Sequence, residues 1–378
     1  MKIFVWISLF LSLVLSNYFF GPESIQFTHD DGFIIINEVE INKTSINGNF
    51  LFDTGAQITV IDSSLLNNIS YKEIGKINSI DIYGNGKTEN KINISSIKIG
   101  DKYFYNIDAY VTNLHKYNCE NFIGILGFNL IKKANWQINF ENQTIKITNE
   151  NPTIYDENLV SIPFKTKNNS AIIDLKIGKK TFKTILDTGA KSEINLAKRD
   201  LHILKNTGQF ADSLYSVELY SQSLNEKDRS KKTVFLSKLK NISIQNNFFE
   251  KKVTFYSTRV LGIDFFRNSS FLVLNFKDGI VSFSDNKSKL DYQIITKHGI
   301  KFSKLDNGEI IVTYLRKNFV FDKLGIHIGD KVLSVNSIDC YNIDACQCKK
   351  LLDAEITKDS LYVDFELHKK LSSSAVLQ

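Results

Sequence analysis

The sequence writes one short stretch twice, and this repetition constrains the fold more than any other feature. Leu51-Phe52-Asp53-Thr54-Gly55-Ala56 returns as Ile185-Leu186-Asp187-Thr188-Gly189-Ala190. Each copy is an Asp-Thr-Gly-Ala closing an apolar, strand-like run. Asp187 follows Asp53 by 134 residues (187 − 53). Leu126-Gly127 is answered by Leu261-Gly262 at 135 (262 − 127), and Asn139-Phe140 by Asn275-Phe276 at 136 (275 − 139). Three landmarks at nearly constant offset predict two structural copies packed about a pseudo-two-fold axis. Between landmarks the copies diverge. Tyr103-Phe104 matches Phe248-Phe249 at 145 (248 − 103), so the second copy gains eleven residues (145 − 134) before that point. The gain falls near Ser221 to Lys232, a charged run read as a solvated hairpin tip. Residues lost around Lys116 to Asn121 restore the spacing.

From Ile25 to Ser284 short runs of Ile, Val, Phe, Tyr and Thr alternate with Asn, Gly, Asp and Lys. That pattern predicts a mainly β fold, with one lobe over 25–150 and a second over 155–284. Short helices are expected after each doubled motif, near Ser63 to Leu66 and Leu196 to Leu201. Asp285 to Lys289 reads as a polar linker. A smaller α+β unit is expected over 290–370, with strands near Ile300, Ile310, Lys331 and Leu361. A helix over Asn342 to Leu352 would put Ala345, Cys348, Leu351 and Leu352 on one face. Residues 371–378 read as a disordered tail with no partner strand.

A single Asp-Thr-Gly predicts no more than a β-turn. Two copies in register, each answered by an apolar-apolar-Gly, predict more. Each strand would deliver its Asp to the axis, and Gly would let the backbone turn sharply beside the partner loop without a Cβ clash. The Thr hydroxyl would hydrogen-bond across to the other loop. Two carboxyls in contact cannot both ionise easily, so they share a proton and titrate apart. One then serves as general base on a water and the other as general acid on a carbonyl.

These motifs resemble the two-lobed aspartic proteases of the pepsin and retropepsin type, for which the shared-proton dyad is a standard case. The resemblance implies two acid-protease-type β-barrel lobes, with Asp53 and Asp187 as the catalytic pair. It makes Thr54, Gly55, Thr188 and Gly189 the braced loops, and Leu126, Gly127, Leu261 and Gly262 their supports. Ile82-Tyr83-Gly84-Asn85-Gly86 resembles the pepsin flap motif, which makes Tyr83 and Gly84 the tip of a hairpin closing over substrate. Each half is shorter than a pepsin lobe and longer than a retroviral subunit. The chain looks most like bacterial retropepsin-like proteases fused to a PDZ domain. Lys323 to Asn336, with its Gly329-Asp330 turn, resembles the core PDZ segment. Gly299, Ile300, Lys301 and Phe302 stand where that family holds a peptide carboxylate while the peptide adds as a strand.

In both copies Ala follows the Gly, where many pepsin-like enzymes place a hydroxyl that donates to the carboxylate. Fewer donors to the charged form predict a less acidic optimum than pepsin's.

The N-terminus reads as a signal peptide over 1–16: Lys2, an apolar stretch from Ile3 to Leu15, then Val14-Leu15-Ser16. Its apolar character runs on to Phe20, so an uncleaved membrane anchor is the alternative. Either reading puts the body outside the cytoplasm, periplasmic, secreted or anchored. There the four cysteines, Cys119, Cys340, Cys346 and Cys348, can form disulfides, with Cys340 to Cys346 or Cys348 the most local pairing. Cys346-Gln347-Cys348 has the wrong spacing for zinc, and no metal or other cofactor is expected. A formal charge of +6, with Lys spread along the chain, gives no basic surface for nucleic acid. One chain carries both acids, so a monomer is expected. The expected partners are a peptide or protein substrate and a C-terminal peptide for the PDZ-like unit. The alternatives weighed are a non-catalytic peptide-binding scaffold that keeps the protease fold, and a β-rich adhesin, which leaves the repeat unexplained.

Overall fold

A computed structural model describes residues 24–30, 32–80, 86–114, 122–152, 158–221, 230–266, 269–284, 297–305, 307–338, 340, 342–366 and 372–377. The expected signal peptide, the polar linker, the charged run after Ser221, Cys119 and the flap residues Tyr83 and Gly84 lie outside them.

The first half begins with β1 (Ile25–Gln26), β2 (Thr28–Asp30), β3 (Phe33–Ile41), β4 (Thr44–Phe52) and β5 (Thr59–Asp62). It continues with β6 (Lys72–Ile80), β7 (Gly86–Ile99), β8 (Lys102–Thr112), β9 (Phe122–Leu126), β10 (Asn135–Asn139) and β11 (Thr144–Thr148). The second half repeats the list: β12 (Leu159–Pro163), β13 (Lys165–Thr166), β14 (Ala171–Ile177), β15 (Lys180–Asp187) and β16 (Ile194–Ala197). Then come β17 (Tyr215–Ser221), β18 (Ser230–Ile244), β19 (Asn247–Tyr256), β20 (Val260–Gly262), β21 (Phe271–Asn275) and β22 (Ile280–Ser284). Short helices follow the two motifs at Ser63–Asn67 and Lys198–Leu204.

Each half closes a six-stranded barrel. In the first the ring runs β3-β4-β9-β5-β8-β7 and closes where Ile41 meets Ile97. In the second it runs β14-β15-β20-β16-β19-β18 and closes where Ile177 meets Ile242. The strands obey period-two chemistry: Ala171, Ile173, Leu175 and Ile177 of β14 are buried while Asp174 and Lys176 between them face water. The barrels share one further sheet, ordered β1-β11-β10-β21-β22-β12. Its order is the same read from either end of the symmetry, so the pseudo-two-fold axis passes between β10 and β21, where Trp136 pairs with Leu274. One core cluster runs through both lobes, with Trp136 fully buried at 4.9 Å from the Phe52 ring.

The C-terminal unit holds β23 (Ile300–Lys304), β24 (Ile310–Arg316), β25 (Lys331–Val335), β26 (Leu361–Glu366) and β27 (Ser372–Leu377), with helices Val320–Lys323 and Ala345–Glu355. It has its own core, which includes Phe302, Phe321, Leu352 and the disulfide Cys340–Cys348. The pairing left open in the sequence therefore goes to Cys348, and Cys346 is disulfide-bonded as well.

Three expectations need correction. The helix starts three residues late, because the Asp344 carboxylate caps the Cys346 and Gln347 amides. Leu351 faces water rather than the core, since the buried stripe passes through Cys348, Leu352 and Glu355. The tail expected to be disordered is a strand: β27 lies antiparallel on β26, from Leu361 opposite Leu377 to Glu366 opposite Ser372. Its Ser-rich sequence gave no signal because an edge strand demands backbone partners, which any residue but proline supplies.

The C-terminal unit does not stand apart. β24 pairs with β17 of the second lobe, Glu218 opposite Leu315, and so joins the two units in one thirteen-stranded sheet.

Candidate active site

The two motifs meet on the axis. Phe52 ends β4 and Leu186 is the penultimate residue of β15, each held in parallel register by an inner strand, Phe52 beside Leu126 and Leu186 beside Leu261. All four are buried in the core. Beyond them the loops brace each other reciprocally. The Thr54 amide donates to Thr188 Oγ1 at 3.0 Å, and the Thr188 amide to Thr54 Oγ1 at 3.0 Å. Each hydroxyl then donates onward to the opposite strand, Thr54 to the Leu186 carbonyl and Thr188 to the Phe52 carbonyl, both at 2.8 Å. Both threonines are fully buried, so every one of these groups needs its partner.

The brace sets the acids face to face. A Cβ on Gly55 would fall 2.2 Å from Asp187 Cγ, and one on Gly189 2.4 Å from Asp53 Cγ. Only glycine permits that approach, because no real Cβ comes so close to another atom. Asp53 Oδ1 accepts from the Gly55 and Ala56 amides at 2.7 and 3.0 Å, and Asp187 Oδ1 from the Gly189 amide at 3.0 Å. The carboxyls hydrogen-bond each other.

Gly127 and Gly262 support the loops by the same steric logic. A side chain at Gly127 would strike the Ile58 backbone at 2.5 Å, and one at Gly262 the Ser192 carbonyl at 2.2 Å. Just after them the Phe128 amide donates to the Ala56 carbonyl at 2.7 Å and the Ile263 amide to the Ala190 carbonyl at 3.0 Å.

Both carboxyls are held above the ordinary range. Burial lifts Asp53, against the pull of the Ala56 and Gly55 amides and the hydrogen bond from Asp187. Asp187 is lifted further, by burial, then by the negative charge of Asp53, then by its hydrogen bond to Asp53. The two raised carboxyls therefore titrate as one pair and hold a proton between them. The Ala after each Gly, in place of a hydroxyl donor, is not the main cause of the raised values. The larger cause is burial, and the Ala56 amide acts in the opposite direction.

Sequence reasoning missed the wall beside the dyad. Phe33, Ala56 and Tyr110 pack over a small cluster of Ile35, Leu51, Val60, Leu114, Phe122 and Ile125, separate from the main core. The Tyr110 hydroxyl is pushed up to about 12, by burial first and then by the charges of Asp53 and Glu89. From the second lobe, Lys191 Nζ sits 4.1 Å above the Phe33 ring. No local motif marks these residues; only the closure of the barrel brings Tyr110 to Asp53.

The hairpin β6–β7 is paired to its last described residues, Ile80 opposite Gly86, and leads to the segment that holds Tyr83 and Gly84. The remaining predicted residues lie elsewhere. Gly299 has φ +69°, and Ile300 and Phe302 of β23 are buried in the C-terminal core, with Lys301 between them half-buried. Among the described residues no group of three His, Cys, Asp or Glu side chains is placed to hold a metal.

Residues 37–130 match the family model for aspartyl protease. The match covers Asp53 and its supports Leu126 and Gly127 and ends before the second copy begins. No curated protein matches the chain.

Proposed function

We propose that the chain is an aspartic-type endopeptidase that cuts extended peptides in the cleft between its lobes. The observation that carries this reading is the reciprocal Thr54–Thr188 brace, which holds two hydrogen-bonded carboxyls on the axis. Ionised Asp53 takes a proton from a water between the acids as that water attacks the scissile carbonyl. Protonated Asp187 donates to the carbonyl oxygen, and the proton gained by Asp53 passes to the leaving amine. Phe33 and Tyr110 favour an apolar side chain beside the cut.

The C-terminal unit is read as PDZ-like. Among the described residues β23 pairs only with β24, and its other edge suits strand addition by a peptide whose carboxylate reaches Gly299 to Phe302. The Cys340–Cys348 disulfide favours an oxidising, extracytoplasmic setting.

The test is cleavage of a mixed peptide library by the full chain and by Asp187→Asn, across pH 2 to 8. Wild type should cut with an optimum less acidic than pepsin's and the variant should not. Equal cutting by both, or none by either, overturns the proposal.

A further inference from the structure

Where the second lobe meets the C-terminal unit there is a cavity of about 320 Å³, bounded by Tyr215, Ser216 and Phe235 on one side and Arg316, Lys317 and Phe319 on the other. It lies on the β17 side of β24, across that strand from β23 and its free edge. Its size falls in the range of small-ligand sites.

The Arg316 guanidinium carbon lies 4.0 Å from the Tyr215 ring centre and 4.6 Å from that of Phe319. Among the described residues no carboxylate pairs with it. Of the acids near this seam, Glu218 faces Lys231 at 3.0 Å, Asp322 pairs with Lys317, and Asp212 acts on the Tyr215 hydroxyl rather than pairing with the arginine. Aromatic rings attract and orient a guanidinium but leave its N–H donors unused. The arginine is also fixed in place. Its amide donates to the Gly299 carbonyl at 2.8 Å, and the adjacent Lys317 amide to the Ser216 carbonyl at 2.9 Å. A guanidinium held by two rings beside a cavity, with its donors unspent, presents the fork that a carboxylate fills with two parallel hydrogen bonds. The rings beside it supply a surface for an apolar body.

We propose that this cavity is a binding site for an organic carboxylate carrying an aromatic or aliphatic group, such as the last residue of a peptide. Arg316 holds the carboxylate, and Tyr215, Phe235 and Phe319 receive the apolar part. Because the walls come from both units, an occupant clamps the β17–β18 hairpin to the C-terminal unit. The site does not depend on the chain being a protease, and its test does not read cleavage.

N-acetyl-L-phenylalanine is titrated into the full chain and followed by calorimetry and by saturation-transfer NMR. N-acetyl-L-phenylalaninamide and inorganic phosphate serve as controls. The acid should bind at least about tenfold more tightly than the amide, since the charge-assisted pair is lost in the amide. Arg316→Gln should remove that preference. Ser216→Phe, which keeps the arginine and fills the cavity, should abolish binding, and this separates loss of the site from any loosening of the seam by the arginine change. Equal binding of acid and amide would reduce the site to an apolar crevice. Phosphate competing as well as the acid would make it a general anion site, and unchanged binding in both variants would place the ligand elsewhere. Each of these results overturns the proposal.

Discussion

The two lobes repeat each other strand for strand, yet their outer hairpins have different fates. In the first lobe β6 is the edge of its sheet, and among the described residues it pairs only with β7. Its counterpart β17 is taken up by β24 of the C-terminal unit. One hairpin ends its sheet, and the other is tied into a larger one. The interiors differ in the same way. Gly124 leaves room for the Phe50 ring, which a Cβ there would meet at 2.4 Å. The corresponding Arg259 reaches the fully buried Asp200 with two hydrogen bonds of 2.7 Å. The brace at the axis is thus alike in both lobes while the outer walls diverge, one lobe open-edged and the other docked.

At the axis the lobes should be equal. Asp53→Asn and Asp187→Asn are each expected to lower kcat by about 10³-fold or more, because acid and base roles are both lost when the proton cannot be shared. Peptide cleavage surviving in either variant would break the equivalence.

Away from the axis they should not be equal. Arg259→Ala strands a buried carboxylate and should destabilise the fold by about 3–5 kcal/mol. Adding Asp200→Leu, which gives the apolar residue found at Leu65 in the first lobe, should recover much of that loss. Urea midpoints of the single and double variants decide the matter, and additive losses would refute the account.

The brace is next in size. Thr54→Ala and Thr188→Ala each leave a buried amide without its acceptor, at a cost of about 1–3 kcal/mol. Matching bond lengths predict matching costs, and a clear inequality in thermal unfolding would mean that one loop carries the other.

The dyad also has a pH signature. A carboxyl whose folded pKa is raised favours the fold below its unfolded value, and that contribution is lost as pH rises through the folded value. Asp187→Asn should therefore raise Tm at pH 7 and change it little at pH 3. Asp53→Asn, at the less strongly raised member, should raise it less. A Tm that falls at pH 7 in Asp187→Asn would contradict a raised carboxyl at that position.

The smallest effect is kinetic. Amides of β17 that pair with β18 or β24 should exchange more slowly with solvent than those of β6, by hydrogen-exchange mass spectrometry. Equal protection would mean that the C-terminal unit does not restrain its hairpin.

Much of this was legible in the sequence because the repeat is a one-dimensional record of a two-fold axis. The offsets from Asp53 to Asp187 and from Gly127 to Gly262 survive as the register of β4 on β9 and of β15 on β20. What was illegible depends on distance in sequence or on backbone alone. Tyr110 reaches Asp53 through barrel closure. β17 meets β24 through main-chain bonds that ask little of side chains. Cys346 and Cys348 sit two positions apart, and only the inward face of the helix selects Cys348 for Cys340. The raised acids were anticipated from the wrong cause, since burial leaves no local mark in the sequence.

The brace also bears on how the molecule is made. Thr54 and Thr188 bond across 134 positions of chain, so neither loop can reach its final geometry until both barrels exist. Contacts of such long range form late and slowly. During synthesis the first barrel emerges with an unpartnered Asp53 loop and an open β10 edge, and the second must find it before other chains do. The paired-acid site is therefore the last part of the two barrels to form, and a half-made chain lacks it.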